Sequence, residues 1–219
     1  MPTAVLVDGG FFVHRYRRIL GKADPETVAK DLHWMCREHL KREGKSRRLY
    51  RIFFNDCPPL AKKAHNPITK KAIDFSLTDI AKWRLAFHEE LRKLRKVALR
   101  LGYLNERFGH WVIKQDVLKA IFDKKLTLEE LKEEHVEYEA PQKGVDMRIG
   151  LDIAAMAFKK QVDQIILVSG DSDFVPAAKL ARREGIDFIL DPMWASIRAD
   201  LHEHIDGLRS VFKRPGEHH

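Results

Sequence analysis

The chain has 219 residues, 44% of them hydrophobic, which is enough for a substantial core in one generous domain or two small ones. Forty basic side chains against 32 acidic ones give a net charge of +8, a modest bias towards polyanions such as nucleic acid. No apolar run approaches the ~20 residues that span a membrane. With only Cys36 and Cys57, far apart, and no secretory leader, the expected compartment is the reduced cytoplasm.

The opening "TAVLVDGGFF" is predicted as an apolar strand that stops at Asp8 and a glycine pair before the basic stretch "VHRYRRIL". A helix follows Asp24-Pro25, with Val28, Leu32, Met35, Cys36 and Leu40 at helical spacing. "EGKSRRLYRIFFND" alternates poorly but is aromatic and β-branched through Tyr50, Ile52, Phe53 and Phe54, and it ends at Asn55, Asp56 and the breaker "CPPL". In the middle third, Ile80, Trp83, Phe87, Leu91 and Leu94 form one helical stripe that Ser76 or Thr78 can cap. "VALRLGYL" reads as a strand, "KQDVLKAIF" and "TLEELKEEH" as short helices, and "VEYEAP" as a short strand. The last third alternates clearly: helix "GVDMRIGLDIAAMAFKK", buried strand "VDQIILVS", helix "DFVPAAKLARREG", strand "IDFILDP" and closing helix "ASIRADLHEHIDGL". Such alternation implies a parallel sheet with helices on both faces. One domain over residues 1–212 is expected, with a helical insertion at about 60–135 and a tail at 213–219; the terminal His218 and His219 are given no role.

In an open parallel sheet the loops leaving the carboxyl ends of the strands share one rim. Asp8, Asp56, Asp171 and Asp173 all fall just after predicted strands, and Asp146 begins a helix. Any one of them can be a helix cap, but neighbouring carboxylates such as Asp171 and Asp173 repel unless a cation, a donor or a proton sits between them. An all-oxygen set without His or Cys suits Mg²⁺ or Mn²⁺ rather than zinc, and such ions activate water and clamp phosphodiester oxygens. Asp152 lies well round the helix from Asp146 and is either a supporting group behind the site or the partner of a nearby Arg. Ser169 and Ser172 can donate to carboxylate or phosphate, or cap. For nucleic-acid backbone the candidates are Arg15, Arg17, Arg18, Arg47, Arg48 and Lys143, with Trp111 and Trp194 able to stack on a base or to seal a core edge.

Taken together, "VDGGFF", "FFNDCPPL", "KGVDMRIGLDI" and "LVSGDSDFVPAAKLARREG" resemble the successive motifs of the NYN domain family, a branch of the PIN-like nuclease superfamily. The resemblance implies an α/β fold, a Rossmann-like α/β/α sandwich with a central, mainly parallel sheet. It also implies metal-dependent cleavage of RNA, single-stranded or structured, with Asp8, Asp146, Asp171 and Asp173 as the acids of an Mg²⁺ or Mn²⁺ site and Asp56 close by. The chain departs from many members in having Phe11 where Asn stands three residues after the first Asp. The leading expectation is therefore a metal-dependent endoribonuclease, with self-association open. The alternatives are an RNA-binding or scaffold protein with a degenerate site and, further off, a haloacid-dehalogenase-type phosphatase. The last needs a second Asp two residues after its nucleophile, where this chain has Gly10.

Overall fold

The computed structural model describes residues 2–42 and 45–216, so Glu217, His218 and His219 lie outside the described residues. Six strands form the central sheet: β1 (Thr3–Asp8), β2 (Leu49–Asp56), β3 (Val97–Leu101), β4 (Gln164–Val168), β5 (Asp187–Asp191) and β6 (Gly207–Leu208). Every pairing is parallel, and the order is β6-β5-β4-β1-β2-β3. The helices are α1 (Gly9–Leu20), α2 (Pro25–Glu38), α3 (Asp79–Lys93), α4 (Gln115–Phe122), α5 (Val145–Phe158), α6 (Val175–Arg183) and α7 (Ala199–Glu203). Among the described residues, no helix is long and apolar enough to cross a membrane.

The period-two alternation of the strands sorts the core into two layers. Val5, Val7, Ile52, Phe54, Ile166 and Val168 face α1, α2 and α3. Ala4, Leu6, Phe53, Ile165, Leu167 and Leu190 face α5, α6 and α7. Strands buried on both faces read as near-continuous apolar runs, which is why "AVLV" and "IILV" carry no polar residue. Phe54 anchors the first layer, edge-on to Phe12 at 6.1 Å and to Phe87 at 5.4 Å. Truncating such a residue to Ala costs about 3–5 kcal/mol.

Two stretches differ from the sequence reading. Within residues 60–135, taken as a helical insertion, α3 and β3 belong to the sandwich itself, because Phe87 and Leu91 are buried against the sheet. What stands outside the sandwich there, among the described residues, is α4 and strands of three antiparallel ribbons, Lys63–His65 with Ala72–Asp74, Tyr103–Leu104 with Gln142–Lys143, and His110–Ile113 with Val136–Glu139. "TLEELKEEH" forms only two single-turn 3₁₀ segments. The closing helix is short, and Gly207–Leu208 instead adds an edge strand. Asp206 is the reason: its Oδ2 accepts from the Phe188 amide at 2.9 Å and its Oδ1 from Arg182 Nε at 2.8 Å, so the side chain ties the chain to the sheet edge instead of continuing a helix.

The turn from β1 into α1 depends on Gly9. A Cβ there would lie 2.7 Å from the Phe54 ring, 2.8 Å from Asp56 Cβ and 2.9 Å from the Asn55 carbonyl oxygen. At Gly10 the nearest atom would be Asp8 Oδ1, at 3.6 Å. Gly9→Ala is expected to destabilise by about 1–3 kcal/mol through overpacking. Gly10→Ala is expected to be neutral or slightly stabilising, since Ala suits a helix better than Gly. Equal melting temperatures for the two variants would contradict this packing account.

Candidate metal and phosphodiester site

The chain order of strands reverses between β1 and β4, so the loops leaving these two strands part there and leave a crevice, the usual ligand position in such sheets. Asp8 closes β1 and caps α1, accepting from the Phe11 amide at 3.1 Å. Its other oxygen faces Ser169 Oγ at 3.4 Å, from the loop after β4. That loop continues through Asp171, which caps a 3₁₀ turn by accepting from the Asp173 amide at 3.0 Å. The sequence reading of Asp171 as a cap therefore holds for one of its oxygens. Asp173 is exposed, and Ser172 is partly covered in the same turn. Asp146 lies in the first turn of α5, where the N-terminal dipole favours a carboxylate.

These acids feel one another. Burial pushes Asp8 up to about 6, and the charges of Asp146 and Asp56 push the same way, against the opposing amide of Phe11. Burial also raises Asp146, followed by the charges of Asp171 and Asp173. Four carboxylates from three separate segments thus share one field. Among the described residues, no three Asp, Glu, His or Cys side chains stand close enough to hold an ion by themselves. The donor set is nevertheless all hard oxygen, and it suits an ion such as Mg²⁺, which keeps several waters and is completed by substrate phosphate. A second observation fits the same group: Asn55 is fully buried and its Oδ1 has no hydrogen-bond partner.

Strand parity explains which residues gather. Asp8, Asn55 and Arg100 are neighbours in register across β1, β2 and β3. In each strand they lie two residues beyond a position facing the α5 layer: Leu6, Phe53 and Ala98. Arg100 is half-exposed, its Nε 3.4 Å from Asp152 Oδ2 and its guanidinium over the Phe53 ring at 5.4 Å. Asp152 is thus the partner of an Arg, one of the two roles read for it. Asp56 has the opposite parity and turns to the α3 face. There it is buried, 2.6 Å from Arg84 Nη1 and 2.8 Å from His88 Nε2, and so forms a structural ion pair rather than a ligand.

The basic candidates separate as sharply. Lys143 is exposed in the short Gln142–Lys143 strand that precedes α5, on the rim side. Arg17 covers the Trp83 ring at 4.9 Å, and Arg18 is exposed beside Trp194. Arg15 turns inward: Nε and Nη2 donate to the Met193 carbonyl at 3.0 and 2.6 Å. Arg47 and Arg48 precede β2 instead of following it, so they lie at the amino end of the sheet, opposite the acids. Arg47 bridges Thr3 Oγ1 and Asp163 there. Phe11 packs its ring against Gly170, where a Cβ would lie 2.9 Å from it, and so braces the loop that carries Asp171. Asn55 and Arg100, which the register sets beside Asp8, are not singled out by the sequence. Their signal was the parity of the strands, visible only once the register of β1, β2 and β3 is known.

The chain matches the family described as the NYN domain over residues 62–204. No curated protein matches it. Among solved structures it is similar to the crystal structure of a protein of unknown function from Vibrio parahaemolyticus RIMD 2210633, at 15% identity and a TM-score of 0.47, covering 96% of this chain and 92% of that one.

Because Asp8 is raised from 3.8 to about 6, the folded protein holds a proton there that the unfolded chain has already released. Its stabilising contribution is full below pH 3.8 and is lost as pH rises through 6. Asp8→Asn keeps the cap and removes the titration. At pH 7.5 the variant should be more stable than the parent by up to about 3 kcal/mol, and near pH 3.5 the two should be alike. Urea unfolding at both pH values checks this. A variant less stable than the parent at pH 7.5 would show that Asp8 is favourably paired instead.

Proposed function

From the premise that the chain belongs to the NYN domain family, a PIN-like group, we propose that it is a metal-dependent nuclease, most directly an endoribonuclease cutting RNA phosphodiester bonds. The observation that supports this reading best is the convergence of Asp8, Asp146, Asp171 and Asp173 on the crevice beside β1, with mutual repulsion that a cation would relieve.

These four acids would hold Mg²⁺ or Mn²⁺, which supplies an activated water and charge neutralisation of a phosphoryl oxygen. The chain's own groups do the rest. Ser169 and the Phe11 amide fix the Asp8 carboxylate, so it needs no reorganisation when phosphate arrives. Arg100, ion-paired with Asp152 at 3.4 Å, would offer a guanidinium to a phosphate oxygen on the same face. Lys143 adds a second cation at the rim. In hydrolysis the water oxygen would bond to phosphorus and give up a proton, the bond from phosphorus to the departing sugar oxygen would break, and that oxygen would take up a proton in its place.

Asp146→Asn and Asp173→Asn are each expected to lower cleavage of single-stranded RNA by roughly a hundredfold or more, since loss of a few kcal/mol of transition-state stabilisation has that size. Melting temperature and RNA binding should persist. Chelation with EDTA should abolish cleavage, and Mg²⁺ or Mn²⁺ should restore it. Parental rates in both Asn variants would leave these carboxylates as turn and helix-end groups only, and would favour an RNA-binding role.

A further inference from the structure

A cleft of about 600 Å³ opens between the start of α3, the 103–104 strand and the ribbon His110–Ile113 with Val136–Glu139. None of the four site acids lines it. Its inner wall includes Cys57 and Arg84, the first adjacent in sequence to Asp56 and the second bound to it, so the cleft begins one strand over from the Asp8 crevice. Its floor is aromatic. Phe75 lies 5.2 Å from Tyr138 and 6.0 Å from Trp111, and Trp111 meets Tyr138 edge-on at 5.5 Å. These rings are only partly buried and pack on one another, away from the two main core layers.

Polar groups converge on the same wall. Asn66 is 1% exposed; its Oδ1 accepts from the amides of Ile68 and Thr69 at 2.9 and 3.1 Å, while its amide nitrogen donates to nothing among the described residues. Lys114 borders the cleft without an acidic partner among the described residues. Lys62 stands over the Tyr138 ring at 5.4 Å. The combination is an aromatic platform, an Asn66 amide nitrogen with no acceptor among the described residues and two cations at the edge, beside Glu133, which pairs with Lys71, and Glu137. It matches the needs of a flat heteroaromatic ring carried on a phosphate backbone.

We propose that this cleft is a nucleobase subsite that takes one unpaired base of the strand whose neighbouring phosphate sits at the carboxylate rim. The assignment rests on reading that rim as a phosphodiester site, and it makes the substrate single-stranded at this position, because a base inside a duplex cannot leave its stack without an unpairing cost. Trp111 and Tyr138 act in positioning the strand and take no part in the chemistry.

The test separates the cleft from the rim. With EDTA present, a short single-stranded RNA titrated into the parent should quench tryptophan emission, and Trp111→Phe should remove most of that quench although Trp34, Trp83 and Trp194 remain. Tyr138→Leu keeps apolar bulk and should raise the dissociation constant for single-stranded RNA about five- to hundredfold, the range for losing one base stack. Affinity for duplex RNA should not change. Hydrolysis of bis(4-nitrophenyl) phosphate, which carries no base, should be the same in parent and Tyr138→Leu. If Trp111→Phe leaves the quench intact and Tyr138→Leu leaves single-strand affinity at the parental value, the cleft takes no base and the proposal is overturned, even where Asp173→Asn abolishes cleavage. Quenching by a proline-rich peptide but not by RNA would overturn it equally. If neither RNA nor the small diester is cut while the Trp111 quench and the Tyr138 effect persist, the base subsite stands and only the nuclease reading fails.

Discussion

Repulsion between carboxylates is the constraint on which the rim of this sheet depends. Asp8 is held part-buried against Ser169 and the Phe11 amide, with Asp146 close enough to raise its proton affinity further. Asp146 in turn is raised by Asp171 and Asp173. A fold gains nothing in stability from such an arrangement at neutral pH, because uncompensated charge near a low-dielectric wall is costly. The contrast with Asp56 is instructive. One strand away, a carboxylate of the same type is fully buried and fully compensated by Arg84 and His88. The chain therefore has the means to neutralise an acid at this end of the sheet, and it does so at Asp56, whereas among the described residues none of the other four has an ion-pair partner.

The parity of a β-strand decides which acids belong to which group. A shift of one residue sends a side chain to the other face. Asp8, Asn55 and Arg100 share the α5 face, while Asp56, one residue past Asn55, joins α3. The same sorting brings an orphan amide oxygen and a half-exposed guanidinium to the same face as Asp8.

Much of this was legible in the sequence because the governing signals are local. Apolar runs bounded by Gly, Asp and Pro marked β1, β2, β4 and β5, and their alternation with helices fixed a parallel sheet. The rim positions of Asp8, Asp171 and Asp146 followed from the rule that loops at the carboxyl ends of strands share one edge. What stayed hidden depended on register and on long-range partners. Asp56 reads as a site acid until His88 and Arg84, 32 and 28 residues on, are brought to it by α3. Arg15 and Arg47 read as free cations, but their partners are Met193 and Asp163, 178 and 116 residues away. The edge strand at Gly207 was masked by a helical pattern that Asp206 overrides through tertiary hydrogen bonds.

The central claim is that Asp8 sits in a field of like charge that a divalent cation relieves. The most direct measurement follows the Asp8 carboxyl carbon by NMR as pH is varied, with and without Mg²⁺. The account predicts a midpoint near 6 without the ion, as burial and its acidic neighbours dictate, and a fall of at least about one unit in excess Mg²⁺, since an adjacent cation favours the ionised form. A midpoint at the ordinary aspartate value without the ion, or one that does not move with Mg²⁺, would contradict it.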